Sequence, residues 1–196
     1  DLKRIKTTAS KIEKKLGYPC FVKPANAGSS VGITKAHDKE ELIEGLRLAA
    51  EHDSKIVVEQ GIVGREIECA VLGNRDHVEA SCVGEIFAAA EFYDYDAKYN
   101  NSDSKTVVPA EISKEKEDEI RKIAVKVFKA VDGSGLARVD FFVEKDTENV
   151  IFNELNTLPG FTPISMYSML WAACGKPMNV LLDELIDLAL ERFGIK

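Results

Sequence analysis

Apolar positions recur along the chain with two periods, and the switches between them outline helices and strands. Leu2, Ile5, Ala9, Ile12 and Leu16 follow the spacing of one helix face, and Gly17 supplies its stop. Cys20-Phe21-Val22-Lys23-Pro24 reads as a short strand whose Lys23 is held extended by Pro24. Val31-Gly32-Ile33-Thr34-Lys35 is strand-like again. Asp38, with Glu41 three residues on, reads as a capping box for a helix carrying Leu42, Leu46, Ala49 and Ala50 on one side. Strands follow over 56–62, 66–72 and 78–87, the second alternating as half-buried sheet should. Ser113 caps a helix with a buried stripe of Ile120, Ile123, Ala124, Val127, Phe128 and Val131, which Gly133 and Gly135 end. Residues 136–143 and 149–152 flank a short turn from Glu144 to Glu148, so they predict an antiparallel hairpin. A short helix runs through Trp171, and a final amphipathic helix groups Leu181, Leu182, Leu185, Ile186 and Ala189.

Composition narrows the class. With 196 residues the chain is one large domain or two intimately packed small ones, and 45% hydrophobic content supports a real core. A net charge of −7 argues against a nucleic-acid surface. No apolar run approaches the roughly 20 residues of a membrane span. The four cysteines, Cys20, Cys69, Cys82 and Cys174, are dispersed, and buried free thiols in a reducing cytoplasm are the reading. The chain opens on Asp1, so a piece of a longer polypeptide is expected.

The chemistry gathers at the predicted hairpin. Side chains on a strand alternate faces, so Glu154 and Asn156 point the same way, roughly 7 Å apart along the chain. Arg138 and Asp140 share a face in the same manner. Asp140, Glu154 and Asn156 then converge as hard oxygen ligands, the set that suits Mg²⁺ together with phosphate oxygens. Lys23 is a candidate phosphate ligand beside the loop Ala27-Gly28-Ser29-Ser30-Val31-Gly32, whose glycines and serines offer donors to an anion. The loop lacks the G-K-[ST] ending of a Walker motif, and a strand rather than a helix follows it. Glu59 and Glu66 stand at strand ends, either as acceptors for a nucleotide base and ribose or as plain exposed acids. The polar stretch from Tyr93 to Lys105 keeps three tyrosines and reads as a lid, with Lys98 bringing positive charge to a phosphate.

Taken in order, the Lys23 strand, Gly28-Ser29-Ser30, Tyr93-Asp94-Tyr95, Ala137-Arg138-Val139-Asp140 and Asn153-Glu154-Leu155-Asn156-Thr157-Leu158-Pro159-Gly160-Phe161-Thr162 resemble the D-alanine–D-alanine ligases of the ATP-grasp superfamily. The resemblance runs from about Gly17 to the end. It implies an α+β fold of mostly antiparallel sheets, with ATP held between two subdomains, residues 1–65 and 66–196. Carried over by position, Lys23 takes a phosphate, with Ser29 and Ser30 over it. Adenine lies near Glu59 and Ile62, ribose on Glu66, and Lys98 reaches the γ-phosphate. Asp140, Glu154 and Asn156 bind two Mg²⁺ (or Mn²⁺). Tyr99 lies beside the substrates, Arg138 and the Gly160 N–H face the reacting carboxylate, and Ser165 holds the second D-alanine. Relatives that use D-serine often carry arginine where this chain has Met166. The implied reaction joins two D-alanines through an acyl phosphate, for peptidoglycan precursors.

The resemblance also implies an amino-terminal domain that grips the first D-alanine and is not in this chain. The fragment is expected to be inactive alone, though able to bind Mg-ATP, and the full-length protein is expected to be commonly dimeric. Two other readings stand beside this one. One is an ATP-grasp carboxylate–amine ligase for another amino acid, D-serine included. The other is a nucleotide-binding module without catalysis.

Overall fold

The computed structural model describes residues 2–26, 31–87 and 105–195. The expected glycine-serine loop at Gly28, Ser29 and Ser30 and the expected lid with Lys98 and Tyr99 lie outside the described residues. The chain divides into two compact units, one of residues up to Ile62 and one of Val63–Phe87 with everything from Lys105 on.

In the first unit the described elements are α1 (Leu2–Leu16), β1 (Cys20–Pro24), β2 (Thr34–Ala36), α2 (Lys39–His52) and β3 (Ile56–Gln60). The strands form an antiparallel sheet in the order β2-β1-β3. Its core joins Ala9 of α1, Cys20 and Val22 of β1, Ala36 of β2, and Leu42 and Ala49 of α2. Three local expectations change. The strand expected from Val31 starts only at Thr34, because Gly32 has φ +70° and so leaves the extended region. Asp38 does cap α2, taking the Glu41 N–H at 2.9 Å, but the Glu41 carboxylate takes the N–H of His37, at 2.8 Å. Ala50 is exposed, and Gly45 takes its place in the buried row Leu42, Gly45 and Ala49.

The second unit holds β4 (Gly64–Asn74), β5 (His77–Phe87), β6 (Lys105–Val107), α3 (Lys114–Ala130), β7 (Ser134–Glu144), β8 (Val150–Asn156), α4 (Met166–Ala173) and α5 (Met178–Phe193). Its five strands are antiparallel in the order β6-β5-β4-β7-β8, which places β4 at the centre. The expected half-buried alternation of β4 is not what forms. Ile67, Cys69 and Val71 pack toward Ile120, Ala124 and Phe128 of α3, while Ala70 and Leu72 pack toward Tyr167, Leu170 and Trp171 of α4 and Leu181 of α5. Helices on both faces leave β4 almost wholly buried, so an apolar run replaces the alternation.

Along β7 the alternation survives. Ala137, Val139, Phe141 and Val143 enter the α3 core, and Leu136, Arg138, Asp140 and Phe142 stand on the opposite face. The helix stripes are narrower than expected. Val131 is the C-cap of α3 and is 56% exposed, and on α5 Leu182 and Ile186 face out while Leu181, Leu185 and Leu188 pack inward. Among the described residues no helix is long and apolar enough to cross a membrane.

The two sides of these helices should differ sharply in cost. Phe128→Ala empties a fully buried site and is expected to remove about 3–5 kcal/mol. Ile186→Ala, on an exposed face, should stay within about 0.5 kcal/mol. Chemical denaturation followed by the fluorescence of Trp171, the chain's single tryptophan and itself buried, checks both.

Candidate functional site

The β7–β8 hairpin builds the site. Antiparallel pairing sets Arg138 opposite Asn156 and Asp140 opposite Glu154, and one rung further into the sheet Glu68 of β4 lies opposite Asp140. A bulge at Asn153 interrupts the ladder, since Asp140 pairs with Glu154 but Phe141 pairs with Phe152. Such an extra residue changes the facing of everything beyond it. Here it lets Phe152 meet the edge of Phe141, with ring centroids 6.2 Å apart, while Glu154 and Asn156 stay over Asp140 and Arg138.

The side chains meet as the alternation requires. Arg138 donates to both carboxylate oxygens of Asp140, from Nε at 2.7 Å and Nη2 at 2.8 Å, a bidentate fork. The same Nε is 3.0 Å from Oε2 of Glu68, whose side chain is 8% exposed. Asn156 Nδ2 donates to Asp140 Oδ2 at 2.9 Å and to Glu154 Oε1 at 3.3 Å. Burial works against the Arg138 charge, but the bond to Asp140 and the charges of Glu68, Asp140 and Glu154 outweigh it. They hold the guanidinium well above its ordinary pKa, so it stays cationic at any accessible pH. One cation thus faces three carboxylates, a formal excess of two negative charges in a half-buried cluster. Two carboxylates and an amide on one side of that cluster form an all-oxygen donor set of the kind hard divalent cations take. Among the described residues no three His, Cys, Asp or Glu side chains gather to hold a metal by themselves, so Asn156 is needed to complete a protein set.

Other expected residues are distributed around this centre or elsewhere. Glu66 stands on the same face of β4 as Glu68, half-buried and opposite Phe142. In the loop before α4, Gly160 is exposed, and a Cβ there would lie 3.0 Å from the Ser165 hydroxyl. Ser165 occupies the N-cap position of α4, yet its oxygen caps nothing in the helix. It accepts the Thr162 N–H at 3.1 Å and bonds the Thr162 hydroxyl at 2.9 Å. Met166 points the other way, into the apolar core, with its sulfur against Gly84. In the first unit Lys23 pairs with Glu59, Nζ to Oε2 at 2.6 Å, and Ile62 follows β3 half-buried.

Sequence reasoning missed Glu68. The signal was present: Glu66, Glu68 and Ala70 alternate in an apolar strand, the same parity that grouped Arg138 with Asp140. It also missed Arg65, which forks onto buried Glu85 at 2.7 and 2.5 Å and reaches the Glu111 carbonyl at 2.8 Å. The bond to Glu85 raises the Arg65 pKa against the opposing effect of burial. This clamp lies on the α3 side of the sheet, away from the Arg138 cluster.

The two antiparallel sheets with their helices have the ATP-grasp fold, which the chain shares with known proteins. Residues 2–187 match the family described as D-ala D-ala ligase C-terminus. The D-alanine–D-alanine ligase of Acetivibrio thermocellus is 57% identical over 190 residues, covering 97% of this chain and 50% of that protein. That of a Thermoanaerobacter species is 56% identical over 197 residues, covering all of this chain and 54% of the relative. The structure of the D-alanine–D-alanine ligase from Coxiella burnetii aligns with TM-score 0.83 and 38% identity, over 96% of this chain and 49% of that one. A VanG D-Ala:D-Ser ligase from Enterococcus faecalis aligns with TM-score 0.82 and 38% identity, over 95% and 60%. The chain belongs to the D-alanine–D-alanine ligase family, and it spans about half the length of the curated relatives it matches.

Removing the central cation should expose the cost of the charges around it. Arg138→Met leaves Glu68 and Asp140 facing each other in a half-buried site, and a loss of about 3 kcal/mol or more is expected, whereas Lys114→Met, at a solvated surface pair, should leave the denaturation midpoint nearly unchanged. Denaturant midpoints of the two variants measure the difference.

Proposed function

We propose that this chain is the nucleotide- and metal-handling part of an ATP-dependent ligase that joins two D-alanines through an acyl phosphate, in making peptidoglycan precursors. The observation that carries the reading is the convergence of Arg138, Asp140, Glu154 and Asn156 on one face of the β7–β8 hairpin, in a chain of this family. In the reaction one D-alanine carboxylate attacks the γ-phosphate of ATP to give an acyl phosphate and ADP. The amine of the second D-alanine then displaces phosphate.

The residues divide the work by their chemistry. Phosphoryl transfer needs positioning and neutralised charge more than covalent help from the protein. Lys23, Ser29, Ser30 and Lys98 supply that to the phosphates, with Glu59 and Ile62 toward the base and Glu66 toward the ribose. In this account the Lys23–Glu59 pair keeps the lysine extended until a phosphate competes for it. Asp140, Glu154 and Asn156 fit Mg²⁺ or Mn²⁺, which when bound neutralise phosphate charge. Asp140 has a second duty, because its fork fixes Arg138. Held on two sides, Arg138 with the Gly160 N–H forms the donor pair for the oxyanion of the second step, where fixed donors are effective because they need no reorganisation. Ser165, whose hydroxyl caps nothing and is turned toward Gly160, receives the second D-alanine beside Tyr99. Free thiols accord with a cytoplasmic setting.

Kinetics of the full-length polypeptide that contains this segment test the assignment. Arg138→Ala is expected to lower turnover by about 10²-fold or more, with near-normal turnover contradicting its role. Asp140→Asn is expected to raise the Mg²⁺ or Mn²⁺ concentration required by about 10-fold or more. Phosphate release should be greatest with D-alanine when D-serine and L-amino acids are compared at equal concentration. A preference for D-serine would reassign the second substrate, and no release with any amino acid would favour a non-catalytic nucleotide module.

A further inference from the structure

Cys82 and Cys174 are far apart in sequence and adjacent in the fold. Cys82 lies in β5 at an irregularity of the β4–β5 ladder, where Cys69 pairs with Val83 but Val71 pairs with Ala80. Ser81 and Cys82 therefore stand together opposite Ala70. The Ser81 hydroxyl accepts the Ala70 N–H at 3.0 Å, which replaces the missing ladder bond. The bulge leaves the Cys82 N–H to find another acceptor, and that acceptor is the sulfur of Cys174, at 2.9 Å. Cys174 is the C-cap of α4 and is exposed, while Cys82 is half-buried with its thiol 3.6 Å from the Leu170 carbonyl. A sulfur bonded to the Cys82 N–H lies within about 5 Å of the Cys82 Cβ by covalent geometry alone, and the two thiols are themselves in hydrogen-bond contact. Bulges re-aim side chains, and this one aims a thiol at another thiol.

We propose that Cys82 and Cys174 form a thiol-oxidation site that closes into a reversible disulfide when the chain meets a small disulfide oxidant. The exposed Cys174 thiolate attacks the oxidant, forms a mixed disulfide and releases one thiol. Cys82 then attacks the Cys174 sulfur, loses its proton, and expels the second thiol. The protein gives up two electrons and two protons, and the oxidant is reduced to two thiols. Burial, with the contact to Cys174 adding to it, pushes the Cys82 thiol up to about 12, and Cys174 is the exposed member of the pair, so Cys174 is the one that meets the oxidant first. The bond would fasten the C-terminal end of α4 to β5. The N-terminal end of that same helix follows Ser165 and begins with Met166, so oxidation would fix the element that carries the proposed second-substrate loop. The site itself is independent of the proposed ligase activity.

The test treats the reduced chain with glutathione disulfide and follows it by mass, thiol titration in denaturant and non-reducing peptide mapping. The mass should fall by about 2 Da and the titratable thiols from four to two, with Cys82 and Cys174 in one linked peptide and full reversal by dithiothreitol. Cys20→Ser should retain the link, and Cys174→Ser should abolish it. A stable glutathione adduct without an internal link, or a bond to Cys20 or Cys69, would overturn the proposal. Because the unsubstituted chain carries the mapping, a variant that fails to fold does not remove the test.

Discussion

The second unit is organised around a guanidinium that cannot be left alone. Arg138 is mostly withdrawn from water on a strand face that turns apolar on either side of it, at Leu136 and at Phe142. A charge in that position is tolerated only when it is paired and hydrogen-bonded. Asp140 supplies a two-point fork, and Glu68 supplies a third contact from the neighbouring strand. With Asp140 and Glu68 the arrangement is already one charge past neutrality, and Glu154 raises the excess to two. A cluster that is held by its own hydrogen bonds and still carries excess negative charge is suited to receive a divalent cation together with the oxygens of a phosphate. Structure and chemistry therefore depend on the same atoms: Asp140 both fixes the arginine and faces the proposed ion.

The scaffold makes that economy possible. Because β4 is covered on both faces, its position is fixed by apolar packing, and β7 is held against it along eleven paired residues. At the far end of that pairing, buried Asn74 donates to the Leu188 carbonyl at 2.8 Å and to Glu191 at 2.9 Å. Its own oxygen accepts the Gly135 N–H at 3.2 Å. One amide thus ties the end of β4 to the start of β7 and to α5. With the strand rigid, the side-chain alternation of β7 carries its two jobs without conflict, one set of residues in the α3 core and the other at the site. The Arg65–Glu85 clamp secures the opposite face near the other end of β4.

Much of this was legible before any coordinates. The parity argument depends only on the pleat, so Arg138 with Asp140 and Glu154 with Asn156 followed from counting residues, and the turn between them set the strands antiparallel. The cap at Asp38 and the cap at Ser113 were legible for a similar reason, since both are local. What sequence did not give was anything set by layers. Whether β4 had one face covered or two depends on where distant helices land, and the alternation expected for Glu66 to Leu72 disappeared under α3 on one side and α4 with α5 on the other. The same helices decide that Met166 is core while Ser165, one residue earlier, is turned to the loop. Glu68 went unnoticed because an acid in a strand reads as surface until its partner on the neighbouring strand is known. Cys82 and Cys174 are joined only by a bulge and a helix end, neither of which has a spacing to read.

Anomalous scattering tests for a cation beside Asp140 without reference to turnover. Crystals of the chain, or of the whole polypeptide, grown with Mn²⁺ and a non-hydrolysable ATP analogue should show an anomalous peak within about 2.0–2.6 Å of oxygens from Asp140, Glu154 and Asn156, with the Arg138 fork intact. Manganese bound at some other place, with Asn156 still bridging the two carboxylates and no peak among them, would contradict the account.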